Sequence, residues 1–185
     1  MVSAEMQPFL TASVAASSAL IGLLFVGVSI APERIFGPES DPRKQAQAIS
    51  AFSALANIFF ISMTSLIPGI LLGLVVTAVA TASSLQLIGL LVRVRNLGAD
   101  PITAIRGLIL FAISGLIYGT ELYLGIVLWN HPTSTPAQVG LLEVLLGAYA
   151  IGLGRAWQLL GAPRLGFVSY LLDYLERRRP SKSRS

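Results

Sequence analysis

The sequence predicts an all-α protein: a bundle of five transmembrane helices followed by a C-terminal amphipathic helix at the inner face of the membrane. Three observations lead there. Only 12% of the 185 residues are charged and 54% are apolar, against about 25% charged in soluble globular domains, and the mean hydropathy is +0.74. The apolar residues are gathered into stretches long enough to cross a bilayer, which takes roughly 20 residues at ~1.5 Å each. All 13 Lys and Arg residues fall into three places, which those stretches put on one side of the membrane.

The elements follow in order. Met1–Gln7 carries Glu5 and no basic residue, unlike the positive start of a cleavable signal, so the apolar stretch 8–30 is expected to remain as the first span. The second and third spans, 46–67 and 70–92, share one apolar run broken only by Pro68-Gly69. As a single helix that run would measure ~70 Å, more than twice the hydrocarbon thickness. Proline removes an amide donor and glycine admits positive φ, so a tight turn is expected at the pair. The fourth span is 106–129 and the fifth 137–160. Beyond Pro163, residues Leu165, Val168, Leu171, Leu172 and Leu175 recur at helical spacing, with Asp173, Glu176 and Arg177 on other faces. Residues 163–179 therefore read as an amphipathic helix on the inner leaflet, and 180–185 as a disordered basic tail. Arg177, Arg178, Arg179, Lys182 and Arg184 are expected to hold that tail to anionic lipid, at about 1 kcal/mol per basic residue.

The basic residues give an orientation. Arg34, Arg43 and Lys44 follow the first span; Arg93, Arg95 and Arg106 join the third to the fourth; the other seven run from Arg155 to Arg184. The N-terminal residues, the Pro68-Gly69 turn and the Asn130–Pro136 loop have none. Positive charge collects in cytoplasmic loops, so five spans place the N-terminus outside and the C-terminus in the cytoplasm. Trp129 is expected at the outer interface and Trp157 at the inner one, with Arg106 and Arg155 as inner anchors.

Several chemistries are excluded or unsupported. The chain has no cysteine, which removes disulfides, iron–sulfur clusters and thiolate zinc sites. Its one histidine, His131, lies in the predicted outer loop. There is no GxSxG, HExxH or Walker sequence. No catalytic residue, metal or cofactor is assigned, and the excess of positive charge is placed for orientation rather than for nucleic acid.

Each span carries a stripe of small or polar residues at steps of three and four, which share a helix face. They are Thr11, Ala15, Ser18, Gly22 and Ser29; Ser50, Ser53, Asn57 and Thr64; Gly73, Thr77, Ala80 and Ser84; Gly107, Ser114, Tyr118, Glu121 and Gly125; Gly140, Glu143, Gly147, Ala150 and Gly154. Lipid tails are as apolar as leucine, so helices gain by close backbone approach and by polar bonds across the contact. Bundle packing is the first expectation for these stripes, a polar pore or cavity the second.

Glu121 stands out among them. It lies ~12 Å inside Trp129, and a charged acid in hydrocarbon costs a few kcal/mol, so such a group pairs, meets water or takes up a proton. Glu143 has a similar predicted depth, and the short loop between the last two spans would let the two acids face each other and share a proton. Asn57 lies near the midplane, where its amide needs partners. Glu121, Glu143, Asn57 and Tyr118 form the candidate protonation or ion site. Against it stands a structural reading in which Glu121 is neutral, bonded to Tyr118, Asn57 or a serine of the first span, and Glu143 reaches the outer interface.

The segment Ser18-Ala-Leu-Ile-Gly-Leu-Leu-Phe-Val-Gly-Val-Ser-Ile30, then Arg34-Ile35 and Ser65-Leu-Ile-Pro-Gly69, resembles a family of small bacterial integral membrane proteins abundant in actinobacteria. Some of that family are automatically labelled modulators of the FtsH membrane protease. The likeness covers the first two spans and the turn after them. It implies a bundle in the bacterial inner membrane and carries no functional residues. The expected function is a non-enzymatic regulator or accessory subunit acting through helix association, with a second copy or a larger membrane protein as partner. The alternative is a small oligomeric channel or proton-coupled carrier using Glu121.

Overall fold

The computed structural model describes residues 3–30, 32–95 and 101–159. The expected amphipathic helix 163–179, the basic tail and its lipid-anchoring residues lie outside them. The described residues are helical and contain no strand. A single 3₁₀ turn, Ala4–Met6, leads into α1 (Gln7–Ile30); the short α2 (Pro32–Phe36) follows, then α3 (Pro42–Ser65), α4 (Leu72–Arg95), α5 (Pro101–Asn130) and α6 (Thr135–Leu159). Five of these helices are long and apolar enough to cross a membrane.

Helix ends sit where the backbone chemistry requires. Proline at the first position of α2, α3 and α5 gives up an amide that would be unpaired there anyway. The run from Ala46 to Val92 breaks as expected: Gly69 takes φ 78°, the one positive value among the described residues, and α4 restarts at Leu72. Helix α2 has no counterpart in the sequence reading, since five residues are too few to show periodicity.

Helices α3, α4, α5 and α6 each pack on the next, and α6 closes back on α3, making a ring of four. Helix α1 lies against α3 from outside the ring. Tyr149 of α6 ties it in by donating to the Ser13 carbonyl at 2.6 Å. The apolar core is drawn from Leu10 and Leu24, Leu55, Ile58 and Ile61, Val76, Leu124 and Leu128, and Leu141 and Leu145.

The outside of the bundle is as greasy as its inside. Leu116 is 71% exposed while Glu121, five positions along the same helix, is 0% exposed. Phe25, Leu85 and Leu146 are exposed as well. An apolar surface this continuous fits contact with lipid.

The basic-free segments share one end. The Ser3 amide donates to Gln138 Oε1 at 3.3 Å, Gln138 Nε2 donates to the Pro132 carbonyl at 3.1 Å, and Met6, Leu10, Ser65, Leu72 and Gln138 line one crevice. At the opposite end Gln47 of α3 donates to Gln158 of α6 at 3.0 Å.

Candidate functional site

A polar centre occupies the middle of the ring, and all four ring helices contribute to it. On α5, Ser114, Tyr118 and Glu121 follow at steps of four and three, hence on one face. All three are buried. Helix α3 supplies Asn57, ~12 Å below the end of α3 at Ser65, and Glu121 lies ~13 Å below the end of α5 at Asn130. Helix α4 supplies Ser83 and α6 supplies Arg155, both buried.

Asn57 is the hub. Its Nδ2 donates to Glu121 Oε2 at 2.8 Å and to Ser83 Oγ at 3.1 Å, which uses both of its hydrogens. Two oxygens remain, Asn57 Oδ1 and Glu121 Oε1, each buried with no hydrogen-bond partner. Below them Arg155 donates to Ser114 Oγ at 2.7 Å. Tyr118 lies between, in electrostatic reach of both Glu121 and Arg155. A narrow crevice touches Ser114 and Tyr118 along with Ala54, Ile117, Ala148 and Ile151, and it has no room for a water molecule.

The structure thus brings together three of the four expected site residues: Glu121, Asn57 and Tyr118. Glu143 is not among them. Its side chain is exposed, because the inward face of α6 is Ala137, Gln138, Leu141, Leu145, Ala148, Gly152 and Arg155. The two acids lie at similar depth, but only one faces the interior.

Three further expectations change. Arg155 is not a snorkelling anchor: it is 6% exposed and its guanidinium turns inward to Ser114. On α4 the buried serine is Ser83 rather than Ser84; neighbouring positions differ by ~100° around a helix, and a tandem pair gives no way to choose. The stripes of the first and last spans do not serve bundle packing as a whole. Thr11, Ala15, Ser18, Gly22 and Ser29 are all exposed, as are Glu143, Ala150 and Gly154, with Gly140 and Gly147 at the edge.

Gly73 of the third stripe and Gly125 of the fourth pack as expected. A Cβ on Gly73 would meet the backbone of Leu128 and Trp129, and one on Gly125 would come within 2.6 Å of Thr77 Oγ1. Helices α4 and α5 therefore touch backbone to backbone toward the Leu72 end of α4 and the Asn130 end of α5.

No family model, curated protein or solved structure matches the chain.

Proposed function

We propose that this protein is a non-enzymatic membrane bundle that works by associating through its outer helix faces, as a regulator or accessory subunit. The observation that supports this best is Glu143. It lies ~12 Å along α6 from Thr135 and its side chain is exposed, among Val139, Leu146 and the small residues Ala150 and Gly154. Acids at such depth almost always face a protein interior or a water-filled cavity. Glu143 faces outward, so a partner helix is the natural cover for it. Small residues beside it let a second backbone approach closely, and the exposed stripe of α1 offers the same.

The setting proposed is the bacterial inner membrane, with the N-terminus outside and the C-terminus in the cytoplasm. The distribution of Lys and Arg supports that orientation, and so does the gathering of the basic-free segments at one end of the bundle. The resemblance to the small bacterial membrane family, some of it labelled as protease modulators, agrees with an accessory role. The channel or carrier reading rests on Glu121. It is weaker, because the crevice beside Tyr118 does not admit water.

The test is native electrophoresis of protein extracted in mild detergent from its own membranes. Wild type is expected to migrate as an associated species. Glu143→Leu, which removes the polar anchor and leaves a lipid-compatible surface, is expected to shift most of it to the single-chain form. Single chains for both would sink the proposal.

A further inference from the structure

The polar centre is short of one donor hydrogen. Every hydrogen on Asn57 Nδ2 is committed, to Glu121 Oε2 and to Ser83 Oγ. Asn57 Oδ1 and Glu121 Oε1 are left, both oxygens, both buried and both without a partner. An ionised carboxylate only accepts, as does an amide oxygen, so the two are unsatisfiable as they stand. Each buried orphan is costly in a medium without water. One proton on Glu121 changes this: it turns Oε1 into a donor, and the amide oxygen is the group lacking one.

We propose that Glu121 and Asn57 form a proton-binding site in which the acid holds a proton on Oε1 and donates it to Asn57 Oδ1, pairing carboxylic acid and amide through two hydrogen bonds. This stands apart from the association reading and draws on the interior of the ring rather than its outer surface. The bond already present, Asn57 Nδ2 to Glu121 Oε2, is one half of such a pair. Ser83 Oγ fixes the amide's orientation by taking its other hydrogen.

The surroundings favour a proton over a counter-cation. Glu121 is 0% exposed, and neither of the two crevices described above is lined by it or by Asn57. Helices α3 and α4 bring only the neutral Asn57 and Ser83 to the acid. On α5 the nearest titratable group is Tyr118, one turn below. On α6 it is Arg155, whose guanidinium is bonded to Ser114, and Ser114 is ~10 Å from Glu121 along the helix. Of the other described acids, Glu5, Glu33, Glu39 and Asp41 are exposed outside the five long helices, and Glu143 is exposed within α6, so the Glu121 band is told from that of Glu143 by its loss in Glu121→Gln and its persistence in Glu143→Gln.

Infrared spectroscopy of the full chain in lipid vesicles at neutral pH tests this. Wild type is expected to show a hydrogen-bonded protonated-carboxyl band that Glu121→Gln removes. Asn57→Leu, which keeps the acid and deletes its acceptor, is expected to move that band to higher frequency. Glu121→Gln replaces the acid by an amide able to make both bonds, so its thermal midpoint should match wild type. The proposal is overturned by carboxylate bands in the difference between wild type and Glu121→Gln, or by a protonated band that Asn57→Leu leaves in place. Failure of Glu121→Gln to fold would overturn it too, since a neutral isostere should be accommodated.

Discussion

Gly73→Ala is expected to destabilise the bundle by about 1–3 kcal/mol, and Gly73→Leu to prevent its assembly. The alanine result is the more telling. Alanine is favoured over glycine by about 1 kcal/mol in a helix interior and by less at the second residue of α4, so propensity alone predicts no loss. At Gly73 a Cβ would run into the Trp129 and Leu128 backbone of α5. Neither helix can yield by rotating a side chain, so α4 and α5 must part. Gly125, whose Cβ would meet Thr77, should respond in the same direction. Gly89 and Gly119 have open space at the Cβ position, and alanine there is expected to leave stability unchanged or slightly raised. Thermal unfolding of the four alanine variants in one detergent checks the pattern. A gain at Gly73 equal to that at Gly119 would mean that the close approach of α4 and α5 is wrong.

The second large effect is expected at Asn57. Asn57→Ala removes the one group that, among the described residues, donates to Glu121, and it also releases Ser83. The acid is left in the bundle with neither oxygen paired. The cost is expected near 2 kcal/mol, within the range for orphaning a buried polar group and above the ~0.6 kcal/mol average of a single interhelical bond in membranes. Ser83→Ala removes one of the two bonds and keeps the other, and should cost well under half as much. Replacing both partners, Asn57→Ala with Glu121→Leu, should cost less than the sum of the single changes, since the acid that needed the amide is gone. Additivity in that cycle would show the two residues to be uncoupled.

These residues also show how far the sequence could be read. The span positions were open to it because they depend on length and hydropathy, and Pro68-Gly69 divides one run in a way only backbone chemistry explains. The inward faces of α3 and α5 were open as well, since Asn57 and Glu121 are too polar to face lipid and fix the helix phase by themselves. Helix α1 lacks such a marker, and α6 has two that point to different faces. In α6 two faces qualify: one through Glu143, Gly147, Ala150 and Gly154, the other through Leu141, Leu145, Ala148, Gly152 and Arg155. Each ends in or contains one charged residue. In lipid an apolar residue is equally content inside or outside, so the pattern does not rank them. The structure chooses the second, and Arg155 with it. The same lack of contrast sends Thr11, Ala15, Ser18 and Gly22 outward. Their spacing predicts packing within the bundle, and the structure leaves them on its outside.

That outer surface is where the account is most exposed to a direct measurement. The chain has no cysteine, so a single introduced thiol reports on its own surroundings. Cysteine at Ala150, beside Glu143 on the outward face of α6, is to be compared with cysteine at Leu116, which is 71% exposed on α5, each treated in native membranes with a short thiol cross-linker. Association through α6 predicts a discrete cross-linked product from Ala150→Cys and little from Leu116→Cys. Equal yields at the two positions, or none at either, would contradict it.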